Sequence, residues 1–329
     1  MSVLRTAVTP SEVLGLSPLG QSLRQCRLAL LGDPVTPSSR WGPSSLRILK
    51  PWISVPAWLG HTRADHRVLV YNLPNRTPQS PSLGYSVRVT DCRDFRGRRL
   101  TYDGHIGTDF VLPPGTRLCA AAPGVVRGVV LEMQRGGRKV YVDHGAGLIT
   151  TYSHLSRALV EPGQALARGC VLGLSGMSGV DGLLMGPLLA PHLHFNALLD
   201  GQAIDPWAAP GETSLWLDHN APTPWTGPAD TAVAPPAWDA DRVNDAVAAC
   251  ADAATRARVE AHAALPARAF ALTIEQVFRP FLFSEVRRLT ARATPRTPTL
   301  SLPLHPDDFR GAVLADEVGP AVMRAIAGG

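Results

Sequence analysis

The chain has 329 residues, which is enough for two or three compact units with a sizeable core. Its net charge of +5 comes from arginines that are scattered along the sequence, so we expect no nucleic-acid binding. The five cysteines lie far apart and form no CxxC pair, which argues against a disulfide scaffold and against a sulfur-bound metal.

The first region, residues 1–95, contains short apolar runs between Pro- and Ser-rich stretches. The runs "RVLVYNL" and "GYSVRVTD" predict strands, and "PLGQSLRQCRLALLG" predicts a short helix that ends at its glycine. We therefore predict a β-rich N-terminal region of short strands and loops. Its start has no continuous apolar stretch after a basic residue, so we expect no secretory signal peptide, and no apolar run is long enough to span a bilayer.

A different pattern covers residues 96–210. The stretch "GVVRGVVLEMQRGGRKVYVDHGAGLITTYSHL" alternates apolar strands with Gly-rich turns, which predicts a meander of antiparallel hairpins. A Pro-rich connector follows over 211–237. Residues 238–329 have a helical composition, and "HPDDFRGAV" suits the start of a last helix. The predicted fold is thus mixed and multi-domain, with a central antiparallel all-β domain and an α-helical C-terminal region.

Five polar residues of the central region are candidates for a metal site. "PHLHF" places His192 and His194 on one face of a strand, "TYSHLS" places His154 at a strand end, and "HIGTD" contains His105 and Asp109. Zinc favours imidazole nitrogen and carboxylate oxygen, and a catalytic zinc site keeps three protein ligands. One Asp and two His would make such a set and leave two His for proton transfer. Five independent surface residues are the less favoured interpretation.

A second HxxxD pair, His61 and Asp65, has the same spacing but not the same surroundings. It lacks the intervening glycine, and Arg63 and Arg67 flank it with charges that would repel a cation. We interpret the pair as surface residues.

The central region resembles the lysostaphin/LytM-type zinc metalloendopeptidases, which are peptidoglycan hydrolases of the glycyl-glycine or D,D-endopeptidase type. The matching motifs occur in family order between Arg96 and Trp207; they are "HIGTD", "PPGTRLCAAAPGVV", "VYVDHGAGLITTYSHLS", "VEPGQALARGCVLGLSGMSG", "PHLHF" and "GQAIDPW". The resemblance implies a LytM-like domain with one zinc per chain held by His105, Asp109 and His194. It also implies that His154 and His192 are the catalytic residues.

Two features depart from the family pattern. An insertion, "VDGLLMGPLLA" over Val180–Ala190, separates the Ser-Gly segment from the HxH motif and predicts a remodelled groove wall. Asn196 stands where the family often has Glu, a position suited to orienting a ligand. In some relatives an upstream segment covers the zinc cleft, and Asn72 or Asn75 would be the candidate blockers here.

The sequence therefore predicts a zinc-dependent endopeptidase that cleaves stem peptides or cross-links of peptidoglycan. Because a single zinc lowers the pKa of water to about 7, His154 or His192 could take the water proton at neutral pH. Two alternatives stay open: a non-catalytic wall-binding or amidase-activating scaffold, and a zinc peptidase with a non-wall substrate. We expect synthesis in the cytoplasm and action in the periplasm or on the wall, after delivery as an effector or a phage-type lysin. The N-terminal region would have a regulatory or wall-binding role.

Overall fold

An extended β-sheet positions most of the candidate residues. The computed structural model describes residues 4–16, 19–32, 37–80 and 84–318, and within them the sheet has eleven strands. The strand order is β11-β1-β2-β9-β6-β5-β4-β7, with β10 beside β9, and with β8 beside both β6 and β3. The strands are β1 (Arg67–Asn72), β2 (Thr108–Val111), β3 (Arg117–Cys119), β4 (Gly124–Glu132), β5 (Gly137–Asp143), β6 (Leu148–Ala158), β7 (Ala165–Leu166), β8 (Val171–Ser175), β9 (His192–Leu199), β10 (Gln202–Ile204) and β11 (Gly311–Leu314).

The predicted meander is confirmed as the antiparallel hairpins β4–β5 and β5–β6. The turn between β4 and β5 depends on Gly136 and Gly137, whose φ angles are +83° and +67°. A Cβ on Gly137 would lie 2.1 Å from the carbonyl oxygen of Ser178, so no larger residue fits without a shift. The Gly-Gly pair therefore allows this turn to pack closely on the segment before the insertion.

Aromatic side chains fill the core beneath the central strands. Trp216 stacks on Phe195 with ring centroids 5.6 Å apart, and Tyr152 meets Phe195 edge-on at 5.4 Å. Burying one Phe side chain contributes about 1.5–3 kcal/mol. Because alternate residues of a strand face opposite sides, Leu193 and Phe195 in this core fix His192 and His194 on the other face of β9.

The N-terminal region differs from the predicted β-rich arrangement. The strand over "RVLVYNL" is confirmed as β1, and the helix is confirmed as α2 (Leu19–Leu31), followed by Gly32 at φ +68°. The described residues add two more α-helices, α1 (Pro10–Leu14) and α3 (Pro51–Trp58), and a 3-10 helix at Pro43–Ile48. The strand predicted over "GYSVRVTD" is wrong, because its backbone groups bond to loop residues near Arg40 and Asp103 and make only an isolated bridge to Arg40.

The C-terminal region contains the predicted helices, although they end earlier than the composition suggests. They are α5 (Ala240–Ala248), α6 (Ala253–Glu260) and α7 (Leu265–Phe278). Pro280 follows the end of α7, as expected for a residue that cannot continue a helix. The prediction of a last helix at "HPDDFRGAV" is wrong. A turn leads instead into β11, which pairs with β1 in the parallel orientation. The Asp308 carboxylate accepts bonds from the Leu4 amide and Arg117 and does not cap a helix.

The sheet thus takes strands from all three parts of the chain, since β1 precedes the central region and β11 follows it. The insertion forms one short helix, α4 (Val180–Met185), at the rim of the sheet. No helix in the described ranges is both long and apolar enough to cross a membrane.

Candidate metal centre

Three of the five candidate residues place one ligand atom each at a common point. Asp109 on β2 faces His194 on β9 in the antiparallel register, and His105 lies in the loop before β2. The Oδ1 atom of Asp109 is 2.7 Å from Nδ1 of His194 and 3.1 Å from Nε2 of His105, and the two nitrogens are 3.2 Å apart. Ligands of a tetrahedral zinc are separated by roughly 3.3 Å, given bonds of about 2.0 Å. The three side chains therefore fit a zinc ion.

Neighbouring groups orient each of these side chains. The Nδ1–H of His105 donates to the Leu73 carbonyl at 2.8 Å, which leaves the Nε2 lone pair facing the common point. Asn72 donates from Nδ2 to Oδ2 of Asp109 at 2.9 Å, which leaves Oδ1 facing the two histidines. The Asn196 amide lies 3.1 Å from Nε2 of His194 and is itself held by Thr151.

The two asparagines that were considered as blockers have other contacts. Asn72 touches the carboxylate of Asp109, and its backbone pairs with Asp109 across β1 and β2. Asn75 donates to the carbonyl oxygens of Thr77 and Asp103, so it holds a loop together. Asn72 therefore supports a metal ligand from the side.

Removal of the Asn72 amide should weaken metal binding. We expect Asn72→Ala to lower zinc affinity roughly tenfold to a hundredfold, because the ligand carboxylate loses the donor that orients it. Competition with a chromogenic chelator measures the change. Asn220→Ala, which removes an exposed amide that bonds to the backbone of Ala208, is the control. Equal zinc affinity in Asn72→Ala and the unsubstituted chain would contradict this role.

His194 and Asp109 have the protonation state that metal ligands need. Burial lowers the pKa of His194 to about 4, so its imidazole is neutral and its lone pair is free at neutral pH. Burial alone would raise the pKa of Asp109, but the adjacent His105, His192 and His194 hold it well below its usual value. At neutral pH His194 thus presents a neutral imidazole and Asp109 a carboxylate.

His154 and His192 lie side by side next to this centre. Their ring centroids are 4.6 Å apart, and Nε2 of His192 is 3.6 Å from Oδ1 of Asp109. Each Nδ1–H donates to a carbonyl at 2.7 Å, that of Ser178 for His154 and that of Ala190 for His192. Both rings therefore keep Nε2 as the proton-accepting atom, and burial lowers the pKa of His192 to about 3.

His154 also has an unusual backbone. Its φ angle is +64°, a left-handed conformation that is uncommon for a non-glycine residue, and its amide donates to the Gly136 carbonyl at 2.8 Å. Such strain persists only where the surroundings enforce it, and it is concentrated at functional sites. The β4–β5 turn thus fixes the position of the His154 ring.

The structure does not bring the second HxxxD pair to this centre. Asp65 accepts from Arg63 and Arg67 at 2.6 Å and 2.8 Å, as the flanking charges suggest. His144 is buried between the Pro123 carbonyl and the Thr150 hydroxyl, at 2.8 Å from each, so it is a structural residue.

The centre opens into a groove of about 410 Å³. The sequence predicted a groove wall at the insertion but not the other residues that line the groove. The N-terminal region contributes Trp41 and Tyr85 to the lining, and the insertion contributes Asp181 and Met185. The segment at the end of α7, 277–281, forms part of the wall. Because Asp181 and Met185 belong to the insertion, this lining agrees with the prediction that the insertion forms part of one groove wall.

Residues 103–206 match the sequence model of peptidase family M23. An uncharacterized metalloprotease of Haemophilus influenzae is 36% identical over 112 residues, which cover 33% of this chain and 22% of that protein. The peptidoglycan DD-endopeptidase ShyA of Vibrio cholerae is 36% identical over 101 residues, covering 31% of this chain and 22% of its own length. The catalytic domain of the antimicrobial peptidase lysostaphin from Staphylococcus simulans is 29% identical, with 31% of this chain and 76% of that chain covered and a TM-score of 0.28. The chain thus spans less than a quarter of the length of these two curated relatives.

Proposed function

We propose, from the peptidase family M23 domain that residues 103–206 form, that this protein is a zinc-dependent endopeptidase that hydrolyses peptide bonds of bacterial peptidoglycan. The observation that supports it best is the convergence of His105, Asp109 and His194 on one point. His154 and His192 lie beside that point, with Nε2 available on both rings. The name of the relative ShyA supports peptidoglycan as the substrate class.

In this proposal His105, Asp109 and His194 hold one zinc ion per chain. A zinc ion bound there would supply Lewis acidity, which makes hydroxide available near pH 7 and polarises a carbonyl group. Asn72 and the Leu73 carbonyl keep two of the ligands in the binding orientation. The family's general dependence on zinc agrees with this donor set of two nitrogens and one oxygen.

The remaining two histidines would move protons. Nε2 of His154 or of His192 accepts the proton of the attacking water, because the Nδ1–H of each ring is already donated to a carbonyl. The protonated ring then donates to the leaving amine or to the developing oxyanion. Held by the β4–β5 turn, His154 needs little reorganisation to do so.

Digestion of purified sacculi tests the function against its alternatives. The zinc-loaded chain should release peptide fragments with newly formed amino and carboxyl ends, and a chelator should stop the release. A wall-binding scaffold would adsorb to sacculi and release nothing, and a peptidase for other substrates would leave sacculi intact while cleaving unrelated peptides. We place the action of the enzyme in the periplasm or on the wall, where this substrate lies.

The insertion should set substrate preference more than metal content. Met185 lines the groove, whereas Leu188 of the same segment is 49% exposed and does not contribute to the lining. We expect Met185→Ala to change the ratio of digestion rates between two wall types by about tenfold, a typical effect of a lost apolar contact, with full zinc content. Leu188→Ala is the matched control and should keep the original ratio. An unchanged ratio in Met185→Ala would argue against a groove role for the insertion.

A further inference from the structure

One end of the groove contains positively charged side chains that the proposed chemistry does not use. Arg135 and Lys139 flank the Gly136–Gly137 turn, and Arg279 follows α7. All three line the same groove as His154. We call these three residues the basic end of the groove.

The turn that carries Arg135 and Lys139 is hydrogen-bonded to the backbone of His154. Gly136 accepts the backbone bond from His154 at 2.8 Å, and Gly136 lies between Arg135 and Lys139 in the chain. Ser153, which precedes His154, is 1% exposed, and its hydroxyl has no hydrogen-bond partner among the described residues. A group bound at the basic end would therefore lie next to the reacting part of a substrate.

Neighbouring carboxylates do not neutralise these cations completely. Glu132 pairs with Arg135 at 2.5 Å and with Lys139 at 3.5 Å, and Glu275 pairs with Arg279 at 3.4 Å. Two carboxylates thus face three cations, which leaves at least one positive charge in excess.

Two further observations indicate that Arg135 and Lys139 have too few anionic partners among the described residues. Nε and Nη1 of Arg135 are buried and have no hydrogen-bond partner within the described part of the chain, although an unpaired buried donor is destabilising. Lys139 is 1% exposed and its Nζ lies 4.2 Å from the ring centroid of Phe278, a contact that orients the ammonium. Burial lowers the pKa of Lys139 to about 8, as expected for a cation that its surroundings stabilise too little.

We propose that Arg135, Lys139 and Arg279 bind a carboxylate group of the substrate and so determine substrate specificity. Guanidinium groups bind planar carboxylates through paired N–H donors, and the side chains of Arg135 and Arg279 both line the groove. The inference rests on the proposed function, because stem peptides are the substrates that would bring a carboxylate into this groove. Walls whose stem carboxylates are amidated should then be poor substrates.

The test compares two stem peptides that differ only in a free or an amidated carboxylate. Binding is measured by calorimetry on the full zinc-loaded chain with the change His154→Asn, which slows turnover roughly a hundredfold or more. The acid should bind roughly tenfold to a hundredfold more tightly than the amide, as expected for charge-assisted hydrogen bonds. Adding Arg135→Gln or Arg279→Gln should remove this difference, because the paired N–H donors are lost. Arg258→Gln is the matched control, because Arg258 also contacts Glu275 but lies outside the groove lining.

Equal binding of acid and amide before the Arg changes would overturn the inference. Inorganic phosphate that displaces the acid peptide as well as a free carboxylate compound does would also overturn the inference. Such a result would show a general anion site with no selectivity for carboxylate. Wall digestion without acid preference would leave the proposed function intact and remove only this inference. If the chain prefers the acid peptide but digests no wall, the proposed peptidoglycan hydrolase function is wrong and the carboxylate-binding inference is retained.

Discussion

Replacing His194 with alanine should remove both the zinc and the activity. The substitution deletes one of three ligand atoms that lie 2.7–3.2 Å from one another, and two remaining ligands cannot hold a catalytic zinc firmly. Since a bound metal supplies several kcal/mol of transition-state stabilisation, wall digestion should fall by on the order of a thousandfold or more. Elemental analysis of the purified protein, together with the digestion rate, measures both losses.

The same result is expected for the other two ligands. His105→Ala and Asp109→Ala should each lower zinc content, and His61→Ala should not, because Arg63 and Arg67 engage the carboxylate of its HxxxD partner, Asp65. Zinc content that stays at one per chain in all three ligand variants would show that the metal binds elsewhere.

Changes at His154 and His192 should separate metal binding from turnover. Neither ring is within the ligand triad, so His154→Asn and His192→Ala should keep one zinc per chain. Turnover should fall roughly a hundredfold to ten-thousandfold, the usual loss on removal of a general acid or base. Asn is chosen at position 154 because it tolerates a positive φ better than Ala, so the +64° backbone is not strained further.

Two outcomes would contradict this division of roles. Loss of zinc in both variants would make His154 and His192 ligands or supports of the metal, and normal turnover in both would remove them from the active site. Thermal unfolding of each variant, compared with the unsubstituted chain, checks that the fold is retained.

The strands of the central region could be predicted because their signals are local. Alternating apolar residues and Gly-rich turns specify the hairpins β4–β5 and β5–β6 within one stretch of sequence, and both are present. The resemblance to the lysostaphin/LytM type is confirmed by the family M23 match over residues 103–206. The pairing of β1 with β11 could not be predicted, since it joins segments near opposite ends of the chain and neither sequence encodes its partner.

The candidate site also has some features that could be predicted from the sequence and others that could not. Five polar residues with metal-ligand chemistry in one β-rich region could be grouped from the sequence, and the structure places all five side by side. The roles given to them stay predictions until the variants are measured. The role of the Leu73 carbonyl in orienting His105 could not be predicted, because every residue type has a backbone carbonyl.

The basic end of the groove was missed because it forms only when α7 packs near the β4–β5 turn. One signal was nevertheless present, since Lys50 and Lys139 are the only two lysines among 32 basic residues. Both have a special environment: Lys50 donates to the Tyr71 carbonyl at 2.9 Å, and Lys139 lies against Phe278. Because an ammonium and a guanidinium differ in their chemistry, the two rare lysines could have been singled out from the sequence.

Digestion of purified sacculi in water enriched in heavy oxygen tests the central claim most directly. If the zinc-loaded chain hydrolyses peptide bonds with water, mass spectrometry should find one heavy oxygen in each new carboxyl end of the released peptides. The glycan strands should stay uncut, and the release of labelled peptides should fall roughly a hundredfold or more with His154→Asn and on the order of a thousandfold or more with His194→Ala. Fragments with new sugar ends, or labelled peptides released at the normal rate by both variants, would contradict the proposed active site.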